Sequence, residues 1–509
     1  AVANLHPAVL EAHHTGVPLV VLSADRPAEL RGTGANQTTV QPDMFGSAVR
    51  WAADLPAPEL IESVGAFHRS SVCRALAAAR GDLVGGALSG AGGPVHLNVA
   101  FRDPLAPDTA ERLIARSESE ERSDELSERA INRVVHAGRP DGEPWVLTPV
   151  GRAVAGQSVL EHVPRTLVVL GDLATSALTS DSVLEWADRR GYPVIAEPFG
   201  DHDRSTLMPH GPLVLTHPEW LEKHIPERVL VVGRVTLSRA VAALLRTEGL
   251  RVELCTANPD WSDPGHVAHA VHPIAVFPGT HDRSPDSAWL EAWHGAGSAV
   301  AQAVQDQPLP WGTGLAVASV VGATLPEGAQ LFVGSSNPVR DLDLGMRRES
   351  PITVIANRGL AGIDGCLSTA IGLALTTDAR SYAWVGDLTF LHDSNALAIG
   401  PGEPRPDLTI LVTNDGGGGI FRTLEHGAPE RRDDFDRIFG TPTGTDFEAL
   451  CRAHGIRHLL AKTREAVAEA LSATPAGITV VEVPIDAESH RGAHEHLRRI
   501  ASKALTISD

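Results

Sequence analysis

Short runs of β-branched apolar residues alternate along this chain with longer stretches rich in Ala and Leu. The runs that read most clearly as strands span 18–23, 94–99, 166–171, 228–233, 251–255, 331–334, 352–355, 381–385, 408–413 and 479–483. Continuous apolar strands separated by segments of helix length are typical of parallel sheets that helices cover on both faces. The pattern therefore predicts an α/β protein built from doubly wound parallel sheets.

The predicted strands form three groups, and 509 residues are enough for about three domains. Segments of linker composition, rich in Pro and polar residues, follow the first group at 102–108 and the second at 273–287. We expect a first domain over 1–108, a linker or charged insertion over 109–164, a middle domain over 165–290 and a third domain over 305–509. The charged run 116–125 has almost no apolar residue, which predicts a solvated insertion or helix face without a function of its own.

The balance of charges excludes some classes of partner. The chain has 63 acidic and 43 basic side chains, a net charge of −20, and therefore no basic field for nucleic acid or an anionic membrane. Anionic ligands would depend on a few well-placed Arg side chains. No segment reaches the roughly 18 apolar residues of a membrane helix, so we expect no membrane insertion.

The four cysteines, at 73, 255, 366 and 451, are scattered singly. This spacing favours a reducing compartment, and we expect a cytoplasmic protein. At the start of the chain, residues 3–13 already have the apolar spacing of a helix, with no capping residue before them. We therefore expect that a preceding piece is missing from this sequence.

Two acidic residues follow predicted strands in the last third of the chain. Asp387 comes after Gly386 at the end of strand 381–385, and Asp415 comes after strand 408–413 and directly before the run Gly416 to Gly419. Ligands of open α/β sheets bind at the carboxyl ends of strands, and paired carboxylates suit Mg²⁺ with a bridging diphosphate. Each motif taken alone is also common in ordinary turns. The pair predicts a metal and diphosphate site.

The two motifs together resemble the signature of thiamine-diphosphate enzymes. The chain is most similar to the synthases of this superfamily that act in menaquinone biosynthesis. That similarity is carried by segments 23–30, 32–38, 334–341, 357–365 and 386–389. The resemblance implies three doubly wound domains of thiamine-diphosphate type: a pyrimidine-binding, a middle and a diphosphate-binding domain. It also implies an enzyme that forms C–C bonds, decarboxylating 2-oxoglutarate and adding the succinyl-semialdehyde unit to isochorismate.

The resemblance assigns roles to individual residues. Thiamine diphosphate with Mg²⁺ or Mn²⁺ would be held by Asp387, Asp415 and the carbonyl of Gly417, near Gly386, Leu388, Gly416, Gly418, Ile420 and Phe421. Ile363 matches the bulky aliphatic residue beneath the cofactor. Substrate-binding candidates are Arg26, Asn36, Gln37, Ser336, Arg340, Arg358 and, more weakly, Arg239. In such enzymes the cofactor bridges two chains, so a homodimer or a dimer of dimers is expected.

Arginine suits carboxylate substrates because its guanidinium binds a carboxylate through two parallel hydrogen bonds. Arg26, Arg340 and Arg358 each follow a strand-like run within a loop of Gly, Ser and Asn. Surface ion pairs are the simpler alternative for these three side chains. Asn36, Gln37 and Ser336 could likewise serve only in turns and caps.

The sequence differs from the family pattern at three places. Asp415 stands where the family has a second Asn, and Ser238 stands where some members have a Lys before Arg239. The family's catalytic glutamate lies upstream of the segment that Ala1 to Leu5 match. Because that glutamate is absent, one alternative is a catalytically silent member that binds thiamine diphosphate or an effector. Another thiamine-diphosphate 2-oxoacid decarboxylase or carboligase is the second alternative, and the set of Arg residues disfavours it.

Overall fold

The computed structural model describes residues 2–58, 62–81, 92–102, 105, 160–173, 179–256, 262–273, 287–346, 351–424, 427 and 432–507. The chain divides into two compact units, Ala1–Gly156 and Gln157–Asp509. The charged run 116–125, and most of the predicted linkers around it, lie outside the described residues.

The first unit contains a parallel sheet with the strand order β1-β3-β2. Its strands are β1 (Leu19–Asp25), β2 (Trp51–Leu55) and β3 (Pro94–Ala100), and its α-helices are α1 (His6–Thr15) and α2 (Glu62–Arg80). The central strand β3 is buried along nearly its whole length, and Val95 and Leu97 pack with Ala75 and Ala79 of α2. This arrangement explains the continuous apolar run at 94–99.

The second unit contains two further parallel sheets. The first of them, the middle sheet, has the order β5-β4-β6-β7-β8. Its strands are β4 (Thr166–Leu170), β5 (Val194–Ala196), β6 (Arg228–Val232), β7 (Arg251–Thr256) and β8 (Ala268–Pro273). Helices α3 (Ser180–Arg189), α4 (Gly211–Val214), α5 (Pro218–Lys223), α6 (Arg239–Leu245) and α7 (Ser287–Asp306) accompany them.

The other sheet of this unit, the C-terminal sheet, has the order β10-β9-β11-β12-β14-β13. Its strands are β9 (Gln330–Val333), β10 (Thr353–Ile355), β11 (Ser381–Gly386), β12 (Leu408–Asn414), β13 (Arg457–Leu460) and β14 (Ile478–Pro484). Its helices are α8 (Gly314–Thr324), α9 (Asn337–Gly345), α10 (Cys366–Ala374), α11 (Asp387–His392), α12 (Arg432–Phe435), α13 (Phe447–Ala453), α14 (Arg464–Ser472) and α15 (Ser489–Ile507).

Apolar cores lie on both faces of the C-terminal sheet. Tyr382 and Trp384 of β11 face one core, whereas Ala383 and Val385 face the other. Because successive side chains of a strand point to opposite faces, both sets must be apolar when helices cover both sides. The predicted fold class, three parallel-sheet α/β domains, is confirmed. None of the helices in the described ranges combines the length and apolar character needed to cross a bilayer.

Candidate functional site

The two acidic residues identified in the sequence follow adjacent strands of the C-terminal sheet. Strands β11 and β12 pair in parallel, with Val385 opposite Val412 and Gly386 opposite Thr413. Asp387 and Asp415 therefore emerge at the same edge of the sheet. The chain reverses its direction of winding between β9 and β11, and open α/β sheets bind ligands in the crevice at such a point.

Asp387 is a buried carboxylic acid at the start of α11. The amide of Leu388 donates to its Oδ1 at 2.7 Å, and the amides of Gly416 and Gly417 also bond to the carboxyl group. Burial, and next the negative charge of Asp415, raise the pKa of Asp387 to about 7. A cation placed between the two carboxylates would relieve this repulsion.

Asp415 is held from two other parts of the C-terminal region. The Nε2 atom of the buried His490, on α15, lies 3.0 Å from its Oδ2, and Nδ2 of Asn337 donates to the same oxygen at 3.4 Å. Burial would lower the pKa of His490, but the hydrogen bond to Asp415 and neighbouring acidic charges raise it. Nδ2 of the preceding Asn414 donates to Oε1 of Glu482 at 2.7 Å. Asp415, and not Asn414, therefore contributes its side chain to the crevice.

The loop after Asp415 depends on glycine for its path. Gly417 has a φ of +142°, and a Cβ atom there would overlap the carbonyl oxygen of Gly440. A Cβ atom on Gly418 would overlap the carbonyl oxygen of Phe439. The amide of Gly418 donates to Gly440 at 2.6 Å, so this stretch of backbone is tightly packed. The close approach leaves backbone groups exposed to the crevice without side-chain obstruction.

A cavity of about 150 Å³ joins these groups to most of the predicted cofactor residues. Its lining includes Ser336, Ile363, Leu388, Ile420 and Phe421 as well as the two acids and the glycine loop. The predicted metal ligands and every predicted cofactor contact except Gly416 therefore line one cavity.

The donor set of this cavity fits a hard divalent cation. Two carboxylates and a backbone carbonyl offer the oxygen ligands that Mg²⁺ and Mn²⁺ prefer. In the described part of the chain, no group of three or more His, Cys, Asp or Glu side chains has the geometry to hold a metal. A cation here would therefore take its remaining ligands from a diphosphate and water.

A second cavity, of about 400 Å³, lies between the middle and C-terminal sheets. Arg239, Arg340 and Ile420 contribute to its lining. The Nη1 atom of Arg340 donates to the carbonyl of Ser336 at 2.8 Å. Burial, and then the positive charge of Arg239, lower the pKa of the Arg340 guanidinium, although part of this side chain remains exposed. Two neighbouring guanidinium groups favour an anion at this position.

Arg358 lies in the loop after β10 and is only 5% exposed. Its Nε donates to Oγ1 of Thr236 at 3.1 Å, and its Nη1 lies 3.5 Å from Oγ of Ser335. The guanidinium also lies 5.9 Å from the centre of the Phe199 ring. Arg358 is thus a buried side chain with partners on both sheets of the second unit, and a surface ion pair does not describe it.

The remaining predicted residues, Arg26, Asn36 and Gln37, share one loop of the first unit. Nη2 of Arg26 lies 3.5 Å from the carbonyl of Asn36, and Gln37 has a φ of +61°. The loop is anchored on the buried Asp25, whose Oδ1 accepts from the amide of Arg26 at 2.8 Å and from Gln41 at 3.1 Å.

Sequence patterns missed His490 and Glu197, both buried polar residues near predicted site residues. His490 and His494 stand four positions apart on α15, and their partners are Asp415 and Asp341 respectively. This spacing places both rings on one face of a helix and was a usable signal. Glu197 follows β5, a strand of three residues that has no clear pattern in the sequence.

Comparison with known proteins agrees with this geometry. Residues 338–483 match the C-terminal TPP-binding domain of thiamine pyrophosphate enzymes. The chain is 42% identical to 2-succinyl-5-enolpyruvyl-6-hydroxy-3-cyclohexene-1-carboxylate synthase of Saccharopolyspora erythraea, over 99% of this chain and 85% of that protein. Proteins of the same name from Rhodococcus erythropolis and Kineococcus radiotolerans are 40% and 42% identical, over 98% and 95% of this chain and 84% and 81% of their own lengths.

Among solved structures, a proposed thiamin diphosphate-dependent enzyme from Mycobacterium smegmatis has a similar fold. The TM-score is 0.57 at 17% sequence identity, over 95% of this chain and 85% of that one. The fold, the matched cofactor domain and the long alignments with curated synthases all agree. The chain is a thiamine diphosphate-dependent, C–C bond-forming transferase and belongs to the family of 2-succinyl-5-enolpyruvyl-6-hydroxy-3-cyclohexene-1-carboxylate synthases.

Proposed function

We propose that this protein decarboxylates 2-oxoglutarate and adds the resulting succinyl-semialdehyde unit to isochorismate, as a step of menaquinone biosynthesis. The observation that carries the proposal is the placement of Asp387, Asp415 and the glycine loop around one cavity, next to a second cavity that Arg239 and Arg340 line. The first cavity suits a metal-bound diphosphate, and the second suits a carboxylate.

In this proposal Asp387, Asp415 and the Gly417 carbonyl hold Mg²⁺ or Mn²⁺. Gly386, Leu388, Gly416, Gly418, Ile420 and Phe421 surround the diphosphate, and Ile363 supports the rings of the cofactor. Bound thiamine diphosphate supplies the electron sink that decarboxylation of a 2-oxoacid requires. The protein contributes position and charge, since the buried Asp387, the hydrogen-bonded Asp415 and the packed glycine loop fix the anchoring point before the cofactor arrives.

The substrates are both carboxylates, and the protein carries a net charge of −20. Local guanidinium groups must therefore overcome a repulsive overall field. Arg340 and Arg239 form one cationic position and the buried Arg358 forms another. Ser336 lines the first cavity, and its carbonyl accepts a hydrogen bond from Arg340. Arg26, Asn36 and Gln37, on one loop of the first unit, are the other proposed substrate-binding residues.

The decisive test is turnover by the full-length protein with thiamine diphosphate and Mg²⁺. The proposal expects release of carbon dioxide from 2-oxoglutarate and consumption of isochorismate in equal amounts. Binding of the cofactor without turnover would instead support a catalytically silent member. Competition by pyruvate as the preferred donor would support another thiamine-diphosphate decarboxylase or carboligase.

We also propose that the protein is at least a homodimer, because thiamine-diphosphate enzymes complete the site with a second chain. Light scattering tests this, and a folded monomer would contradict it. A cytoplasmic location belongs to the same proposal, since all four cysteines are free thiols in the structure.

A further inference from the structure

The loop after β6 of the middle sheet lies against the loop that carries Arg358. Residues 234–237 leave the carboxyl end of β6, and Glu197 leaves the carboxyl end of β5. An isolated bridge between Asp172 and Arg234 marks the point where the chain reverses its winding in this sheet. The loops after β5 and β6 of the middle sheet therefore lie next to the loop after β10 of the C-terminal sheet.

Glu197 fixes the position of that loop. Its Oε1 accepts hydrogen bonds from two successive amides, those of Thr236 at 2.8 Å and Leu237 at 2.5 Å. The side chain is only 5% exposed. Two bonds from adjacent amides to one buried oxygen leave the backbone of the loop little freedom to turn.

The fixed loop in turn contacts the Arg358 loop in two places. Oγ1 of Thr236 accepts from Nε of Arg358 at 3.1 Å, and Nη2 of Arg234 donates to the carbonyl of Gly359 at 2.7 Å. A backbone bridge between Gly200 and Val354 joins the two regions nearby. The chain of contacts runs from Glu197 through Thr236 to the guanidinium of Arg358.

We propose that Glu197 and Thr236 are positioning residues that orient the Arg358 guanidinium toward a substrate carboxylate. The inference rests on the proposed role of Arg358 in substrate binding. The guanidinium is planar, so a hydrogen bond at Nε fixes the plane in which its terminal nitrogens can approach a carboxylate. Fixing this plane before binding removes an entropic cost that a mobile Arg would incur.

The Thr236 hydroxyl offers a conservative test in the full-length protein. Thr236→Val keeps the shape of the side chain but removes the acceptor for Arg358, whereas Thr236→Ser keeps the acceptor. We expect Thr236→Val to raise the KM of the substrate that meets Arg358 roughly tenfold, the size of a lost hydrogen bond to a charged group. We expect little change in kcat, and Thr236→Ser should stay near the parent. The Kd of thiamine diphosphate, measured by calorimetry, should not change.

Glu197 gives a second pair of variants. Glu197→Gln retains an oxygen acceptor for the two amides and should keep most of the substrate affinity, whereas Glu197→Ala should raise KM as Thr236→Val does. If Glu197→Ala fails to fold, the Thr236 pair still decides the matter. An equal KM in the parent and Thr236→Val would overturn the inference.

A double-variant cycle with Arg358→Lys separates this inference from the proposed function. If Thr236 acts through Arg358, Thr236→Val adds little to the KM increase that Arg358→Lys already causes. Full additivity of the two effects would overturn the positioning role while leaving Arg358 in the site. If Arg358→Lys alone leaves KM unchanged for both substrates, the proposed substrate site is wrong, and the positioning role falls with it.

Discussion

The Nε2 atom of His490 lies 3.0 Å from Oδ2 of Asp415, which joins the last helix of the chain to the loop after β12. His490 is 3% exposed. The Asp415 side chain is 11% exposed and places a negative charge beside Asp387. The histidine supplies a hydrogen bond to that charge from a rigid helix.

We expect His490→Ala to weaken the binding of Mg²⁺ in the presence of thiamine diphosphate roughly 10- to 100-fold, as loss of a residue that orients a metal ligand commonly does. The measurement is the Mg²⁺ concentration for half-maximal cofactor binding, followed by tryptophan fluorescence. His496→Ala, on the same helix, is the matched control and should leave this concentration unchanged. Equal Mg²⁺ affinity in the two variants would show that Asp415 needs no support from His490.

The two proposed carboxylate ligands differ in what they tolerate. Asp387→Ala removes an anionic ligand and should abolish metal-dependent binding of thiamine diphosphate. Asp415→Asn keeps an oxygen ligand and should bind the cofactor, whereas Asp415→Ala should not. Calorimetric titration with Mg²⁺ present measures all three. Unchanged affinity in Asp387→Ala would remove this residue from the metal site.

Most of the strands that the sequence predicted are buried along their length, although β1 and β10 were predicted and are only partly buried. Strands β6, β11 and β12 are buried along nearly their whole length, so their residues are apolar at successive positions. Strands β2, β5, β8 and β13 were not predicted. β5 has three residues, and β13 lies at the edge of its sheet with both its ends exposed. The four unpredicted strands have shorter or interrupted apolar runs than β1, in which Leu19 to Leu22 are all apolar although two of them are exposed.

The same limit applies to the site. Asp387 and Asp415 were predictable because glycine neighbours and preceding strands mark them within a few residues. The partner of Asp415, His490, lies 75 residues away, and the contact depends on how α15 packs. Glu197 was missed because it follows the unpredicted strand β5. Local patterns identify residues whose role is set by local backbone, and tertiary packing supplies the rest.

The glycine loop allows a comparison of two neighbouring positions. Gly416 has a φ of +77° with open space where a Cβ atom would lie, whereas a Cβ atom at Gly417 would overlap the Gly440 carbonyl. Gly416→Ala should therefore cost about 1–2 kcal/mol of strain and retain cofactor binding. Gly417→Ala must displace the backbone and should lose most of the cofactor binding. The Kd of thiamine diphosphate measures both, and equal values in the two variants would contradict this difference in packing.

Glu197 should make the stability of the protein depend on pH. Burial raises the pKa of Glu197 to about 7, against hydrogen bonds from Leu237 and Thr236 and the charge of Arg358, which lower it. Because the folded pKa exceeds the ordinary value of 4.5, the folded state keeps its proton while the unfolded state loses it. The contribution of protonated Glu197 to the free energy of unfolding is complete below pH 4.5 and is lost as the pH rises to about 7.

Glu197→Gln cannot titrate at this position, so its difference from the parent reports on Glu197 together with its coupling to Asp343, whose pKa Glu197 raises. The unfolding free energy of the parent, relative to Glu197→Gln, should fall by about 3 kcal/mol between the two ends of that window, at 1.36 kcal/mol per pKa unit. Asp172 and Asp343, the other acidic groups near Glu197, are present in both proteins. Urea denaturation at several pH values measures the difference. A difference independent of pH would mean that Glu197 ionises as it does in water.

The proposed carboxylate position at Arg340 depends on the shape of the side chain as well as its charge. Arg340→Lys keeps the positive charge but loses the planar fork that binds a carboxylate through two hydrogen bonds, each worth about 1.5–3 kcal/mol with a charged partner. We expect kcat/KM to fall at least tenfold for one of the two substrates, with thermal stability and cofactor binding near those of the parent.

Arg499→Lys is the matched control for this variant, because Arg499 is an exposed residue of α15. Exposed ion pairs contribute only about 0–1 kcal/mol, so the control should keep the kinetic constants of the parent. The same result in Arg340→Lys would assign Arg340 to the surface. In that case Arg239, whose charge lowers the pKa of Arg340, would also lose its proposed role, since the two guanidinium groups define one anion position.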